Sequence, residues 1–264
     1  MSYADVNGTR IYYDESGEGP AVVLLHAGLL DSRMWDEQMP AFSERYRVIR
    51  YDARGYGRSA PPRAPYAQAD DLRALLEHLG AREAALVGLS MGGKTAIDFA
   101  IAHPGSVWAL VAIASGLGGF SFGAYSDEQI ARAEAAERAG DLSAGAELWL
   151  EVWAPLGSAG AIGRIARDNA GVLELDEVEL DLDPPALGRL AEIRAPTLVV
   201  VGDRDVPAML EIADLLAARV SGARKVVLPG VDHMVNYRAP EELARLVLDF
   251  LDSCHSARVT AKST

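Results

Sequence analysis

The sequence predicts an α/β fold: a mostly parallel central sheet, helices on both faces, and a helical insertion in the second half. Three observations carry this. Short continuous apolar runs such as "AVVLL", "AALV", "VWALVAI" and "TLVVV" recur along the chain, the mark of strands buried on both faces. Segments with apolar residues three and four apart alternate with them. Residues 117 to 188 drop that rhythm and read as helix after helix.

Each element follows from local chemistry. Asn7-Gly8 between "YADV" and "TRIYYDE" is a hairpin signal, adding antiparallel strands at one edge. "AVVLLHAG" reads as a buried strand and "RYRVIRYDARG" as another, ending at Asp52. In "QADDLRALLEHLG", Leu72, Leu75, Leu76 and Leu79 line one helical face and Gly80 stops the helix. "EAALVGLS" is a strand, "GGKTAIDFAIAHPG" a helix ending before Pro104, and "VWALVAIAS" a strand. In the insertion, Ser126 and Gln129 form a capping-box signature for "SDEQIARAEAAERAGD". "LSAGAELWLEVWAP" is a second helix halted by Pro155, "SAGAIGRIARDNAG" a third, and "VLELDEVELDLD" alternates briefly. "APTLVVVGD", "ARKVVLPG" and the helix "PEELARLVLDFLDS" complete the core. The expected organisation is core over 1–116, helical cap over 117–188, core again over 189–254, and a polar, disordered tail over 255–264.

Composition narrows the function classes. The 264 residues carry 38 acids against 25 Lys and Arg, a net charge of −13. Such a surface repels phosphate, so neither nucleic acid nor an anionic membrane is expected as a partner. The one cysteine, Cys254, makes no intrachain disulfide, and no Cys/His spacing suits zinc. No metal or cofactor is expected. The first residues lack a basic region followed by an apolar run, and no apolar stretch reaches the ~18–20 residues that span a bilayer. The expected location is the cytoplasm.

"LVGLSMGGKTA" (86–96) admits two readings. Gly88 to Thr95 fits G-x-x-x-x-G-K-[ST], a phosphate loop with Lys94 at work. Gly88 to Gly92 fits G-x-S-x-G, a turn that presents a nucleophilic Ser90. Four strand ends bear on the choice, because ligands of open parallel sheets bind there. His233, in "VVLPGVDHMVN", is the one histidine in a loop after a late strand, where the base of a Ser…Asp…His order belongs. "LVVVGDRDVP" offers Asp203 and Asp205 as partners for it, and Asp203 also has the form of a magnesium-binding strand end. In "LLHAGLLDSRMW", Gly28 permits close backbone approach and could turn its N–H to an oxyanion, with Met91 supplying a second donor; Leu29 lies one residue further on. His26 then holds that loop. In the insertion, Leu148, Trp149, Val152 and Trp153 form an apolar stripe that seals it to the core, with Trp149 or Trp153 as candidates to line an acyl pocket.

Taken together, "LLHAG", "DARGYGRS", "GLSMGG", "GDRDVP" and "GVDH", in this order from about Ala21 to Leu251, resemble the α/β-hydrolase superfamily. Within it the chain is similar to small esterases, 3-oxoadipate enol-lactonases and cofactor-free haloperoxidases. The resemblance implies an α/β-hydrolase fold with Ser90 as nucleophile, His233 as base and, from G-x-x-D, Asp205 rather than Asp203 as the acid. It assigns Asp52, Arg54, Gly55, Gly57 and Ser59 to bracing loops. The chain departs from the family at His-Ala-Gly, where His-Gly is usual, and no hydrolase chemistry requires Lys94, which reads as a solvated or locally bonded side chain. The implied activity is hydrolysis of a small or medium ester or lactone through an acyl-enzyme. C–C bond hydrolysis and perhydrolysis use the same triad, and Leu29, where perhydrolases often carry proline, favours plain hydrolysis. A nucleotide hydrolase leaves His233, "HAG" and "DARGYGRS" unexplained, and a non-catalytic receptor leaves the triad so.

Overall fold

The computed structural model describes residues 2–121, 123, 125–175 and 179–262. Among these the sheet has eight strands: β1 (Ser2–Val6), β2 (Thr9–Ser16), β3 (Ala21–Leu25), β4 (Arg47–Tyr51), β5 (Ala84–Leu89), β6 (Val107–Ile113), β7 (Thr197–Gly202) and β8 (Arg224–Leu228). Their spatial order is β1-β2-β4-β3-β5-β6-β7-β8. β1 and β2 form the expected hairpin, with Asn7 and Gly8 at φ 47° and 69°, the left-handed pair that a two-residue turn needs. β2 also runs antiparallel to β4, and the remaining neighbours are parallel. Every residue of β3, β5, β6 and β7 is buried, which is why these strands read as unbroken apolar runs.

Helices α1 (Met39–Ser43), α2 (Gln68–His78) and α3 (Met91–Ala102) precede the insertion. It contains α4 (Asp127–Ala139), α5 (Leu142–Trp153) and α6 (Ala161–Asp168); α7 (Pro207–Arg219), α8 (Val235–Arg238) and α9 (Pro240–Lys262) follow it. Because β6 and β7 are neighbours in the sheet, everything between them is a detour from the core. The Ser126–Gln129 capping box opens α4 as expected, and Gly140 closes it in the left-handed conformation. The alternation at 172–183 builds no sheet strand among the described residues: Ala170–Glu174 is a 3-10 turn and Glu179 makes an isolated bridge to Tyr66. Residues 176–178 of that stretch lie outside the described residues.

Two expectations need correction. The tail over 255–264 is not a disordered segment up to Lys262, because α9 continues to that residue. Ala, Arg and Lys sustain the helix, and two side chains dock it: the His255 ring meets Trp108 edge-on at 6.1 Å, and Arg258 lies over Trp108 while pairing with Glu83. Ser263 and Thr264 are outside the described residues. Helix α7 is absent from the elements expected above, although Pro207 at its start and buried Met209, Ile212, Ala213 and Leu216 mark it. No helix among the described residues is long and apolar enough to cross a membrane.

Candidate active site

Ser90 alone links β5 to α3. Its backbone sits at φ 55°, ψ −113°, a region that L-residues avoid and that persists only where surroundings enforce it. The enforcement is visible. The Ser90 N–H donates to the Ile113 carbonyl, and the Ser90 carbonyl accepts from the N–H groups of Lys94 and Gly116, each at 3.0 Å. A Cβ on Gly88 would lie 2.2 Å from the Gly92 carbonyl oxygen, and one on Gly92 would lie 2.3 Å from that of Leu25. Both glycines are therefore clearance for the turn. A one-residue link also leaves no loop to curl around a phosphate.

Lys94 is committed elsewhere. Its ammonium lies 2.8 Å from Asp181, 3.1 Å from Glu179 and 3.5 Å from Asp98. Burial opposes its charge, but the three carboxylates outweigh it and hold the ammonium above the usual lysine range. The side chain is thus neither solvated nor only locally bonded, because two of its partners come from the insertion.

His233 follows β8 and is 1% exposed. Its Nδ1 lies 3.1 Å and 3.0 Å from the two carboxylate oxygens of Asp205. Asp205 is buried after β7 and also accepts the Val206 N–H at 2.8 Å. Asp203 is exposed, and its carboxylate accepts the Gly230 N–H, bracing the turn after β8. The two acids left open by spacing are separated by geometry. His233 Nε2 is buried and has no hydrogen-bond partner among the described residues. Ser90 is partly exposed. With Nδ1 donating to Asp205, the free Nε2 is an acceptor at the same sheet edge as Ser90. Such a pair commonly closes only around substrate.

The loop after β3 brings Gly28 against Met91: a Cβ on Gly28 would sit 4.0 Å from the Met91 Cβ. Neither N–H donates to a protein acceptor among the described residues, and Met91 opens a helix whose first donors are unpaired by construction. Leu29 is buried at φ 55°, a second strained residue beside the site. His26 is structural: Nδ1 donates to the Ala27 carbonyl and Nε2 accepts the Ala53 N–H, both at 2.8 Å. Burial lowers its pKa, keeping it neutral. Asp52 accepts the N–H groups of Ser32 and Arg58, and Ser59 bridges Asp52 and Tyr12, so this segment clamps the surrounding loops.

Trp153 and Trp149 part company. The Trp153 ring packs on His233 at 4.5 Å between centroids and donates its N–H to the Tyr125 hydroxyl. Trp149, one turn earlier, lines a cavity of about 840 Å³ between α4 and α5, with Tyr125, Ile130, Leu148 and Leu173. Sequence reasoning missed the polar groups that pin the insertion to the site. Asn169 donates to Asp31 in the loop after β3 and accepts the Gly57 N–H. Asp232, beside His233, accepts the Leu156 N–H and pairs with Arg238. No local pattern marks the partners from the insertion, which lie 76 to 138 residues from the groups they meet. Among the described residues no group of three or more His, Cys, Asp or Glu is arranged to hold a metal ion.

Comparison with known proteins matches residues 22–246 to the model of an alpha/beta hydrolase family. The chain is 29% identical over 271 residues to a 2-hydroxy-6-oxo-6-phenylhexa-2,4-dienoate hydrolase of Comamonas testosteroni, covering 95% of this chain and 94% of the relative. It is 28% identical over 257 residues to the serine hydrolase BPHL of Mus musculus, covering 93% and 84%. Among solved structures, the enol-lactonase of Burkholderia xenovorans LB400 superimposes with a TM-score of 0.75 at 28% identity, covering 95% of this chain and all of that one.

Proposed function

The chain belongs to the alpha/beta hydrolase family, and from that premise we propose that it is a serine hydrolase of small or medium carboxylic esters or lactones. One observation carries the reading: a buried imidazole, held through Nδ1 by Asp205, leaves Nε2 without a partner at the edge where a strained Ser90 is presented. His233 takes the Ser90 proton as the hydroxyl oxygen attacks the carbonyl carbon. The Gly28 and Met91 N–H groups receive the oxyanion. His233 then protonates the leaving alcohol, and water, deprotonated by the same ring, releases the acid and restores Ser90.

The insertion acts as a cap. Trp153 borders the reacting carbonyl, Leu29 flanks the oxyanion donors, and Trp149 serves the apolar part of the substrate. The substrate is a small neutral molecule met in the cytoplasm, with neither nucleic acid nor membrane as partner. The same groups would serve C–C bond hydrolysis or perhydrolysis. The decisive test is a panel of p-nitrophenyl esters, lactones and a 2-hydroxy-6-oxo-dienoate, with wild type and Ser90→Ala. Turnover of one class should vanish in the variant; hydrolysis undiminished in clean Ser90→Ala protein would refute the serine mechanism.

A further inference from the structure

The Nδ1 contact to Asp205 fixes one edge of the His233 ring, and the rest of the buried ring is held by packing alone. Beside the ring lies Trp153, 4.5 Å away between centroids and tilted by 49°. Trp153 is the last residue of α5, so its position depends on what holds the chain just beyond. Leu156 donates its N–H to Asp232 Oδ2 at 3.1 Å, and the Gly157 carbonyl accepts from an Arg238 terminal nitrogen at 2.5 Å. Asp232 is fully buried and directly precedes His233. Its Oδ1 also accepts the Met234 N–H at 3.1 Å and Arg238 Nε at 2.9 Å, and its Oδ2 accepts a second Arg238 nitrogen at 2.9 Å. One ion pair, buried on its Asp232 side and partly exposed at Arg238, thus bonds the backbone on the far side of His233 and the backbone that follows Trp153.

We propose that Asp232 and Arg238 are positioning residues that seat Trp153 against the His233 ring, so that the base keeps one orientation through turnover. This rests on the reading of His233 as the general base. Arg238 suits the task because its planar fork reaches the carboxylate and the Gly157 carbonyl together, which a lysine ammonium cannot reproduce. If the pair is broken, the 154–157 turn loses its anchor to the His233 loop, Trp153 is held by its packing and Tyr125 without that anchor, and the His233 ring is seated less tightly.

The test uses p-nitrophenyl acetate, too small to need the cap for binding, and measures kcat and KM separately for Arg238→Gln, Arg238→Lys, Asp232→Asn, Trp153→Ala and the double variant Arg238→Gln/Trp153→Ala. Asp232→Asn keeps the side-chain shape and serves if Arg238→Gln does not fold; thermal melts identify the variants folded at the assay temperature. Misplacing a catalytic group by 1 Å can cost ~10²-fold, so a loosened ring should lower kcat by about 10-fold with KM within about 2-fold. Arg238→Lys should recover part of the loss. In the Trp153→Ala background, Arg238→Gln should cause little further loss, because the pair acts through that ring. Wild-type kcat in Arg238→Gln or Asp232→Asn, a change confined to KM, or losses that multiply in the double variant would each overturn the proposal. Ser90→Ala separates the failures: full turnover there sinks the serine mechanism itself, whereas an inactive Ser90→Ala beside a fully active Arg238→Gln sinks only this inference.

Discussion

Replacing Asp205 by asparagine should disable His233 through its tautomer. Both carboxylate oxygens are engaged: Oδ1 accepts the Val206 N–H at 2.8 Å, and both oxygens lie within 3.1 Å of His233 Nδ1. Asparagine at this position keeps its oxygen at the Oδ1 place, or the partly buried Val206 N–H would face an amide donor. Its NH2 group then falls at the Oδ2 place, 3.0 Å from Nδ1. A donor there favours the ring form in which Nδ1 accepts and Nε2 carries the proton. That form cannot take a proton from Ser90. In the serine-protease triad the equivalent change costs about 10⁴-fold in kcat, or roughly 5.4 kcal/mol of transition-state stabilisation. Among the described residues the Asp203 carboxylate bonds the Gly230 N–H in an exposed turn, a contact that an asparagine oxygen keeps. Asp203→Asn should therefore remain within about 2-fold of wild type, as exposed substitutions usually do. The assay is kcat on p-nitrophenyl acetate, with circular dichroism to show that each variant is folded. Asp205→Asn within 10-fold of wild type, or Asp203→Asn as impaired as Asp205→Asn, would refute the reasoning.

Three further outcomes are expected. Gly88→Ala drives a methyl into the Gly92 backbone at 2.2 Å and should lower stability by about 1–3 kcal/mol or more, whereas Gly105→Ala meets open space and should be neutral or slightly stabilising; equal urea midpoints would contradict this. Burial pushes Asp98 up to about 6 despite Lys94 beside it, so the folded state holds this proton more tightly than the unfolded chain. The stability this supplies is complete below the ordinary value of 3.8 and is lost as pH rises through about 6. The stability of wild type relative to Asp98→Asn should therefore fall between these limits, and a difference that stays flat across them would show the shift to be absent. Trp149→Ala, which opens the wall of the cap cavity, should lower the ratio of hexanoate to acetate ester turnover by roughly 10-fold; an unchanged ratio would remove Trp149 from substrate binding.

Legibility in the sequence followed the range of the interactions. The four fully buried strands were readable because a parallel sheet covered on both faces demands apolar residues at consecutive positions. The elbow was readable because crowding around Ser90 admits only glycine at 88 and 92. Asp205 and His233 could be placed because each stands just past a strand end, although choosing between Asp203 and Asp205 from the residues alone needed the geometry of their contacts. The end of α9 was misread because a polar helix face looks like a solvated tail until Trp108 is known to lie beneath it.

What stayed hidden is how the insertion is held over the site, and the reason is physical. Two loops and one helix are tied to it: the loop of Gly28 through Asp31 and Asn169, the helix after Ser90 through Lys94 and Glu179, and the loop of His233 through Asp232 and Leu156. The partners lie 138, 85 and 76 residues apart, so no periodicity or spacing relates them. They are also polar residues in a strongly acidic chain, where one more Asp or Glu signals nothing. In the structure each tie joins a segment of the insertion to a different element of the proposed chemistry: the oxyanion donor, the nucleophile and the base. A displacement of the insertion would therefore reach all three. Lys94, which began as a possible phosphate ligand, is one of these ties. It ties the 179–181 segment to α3, while Ser90, one helical turn away, carries the proposed chemistry.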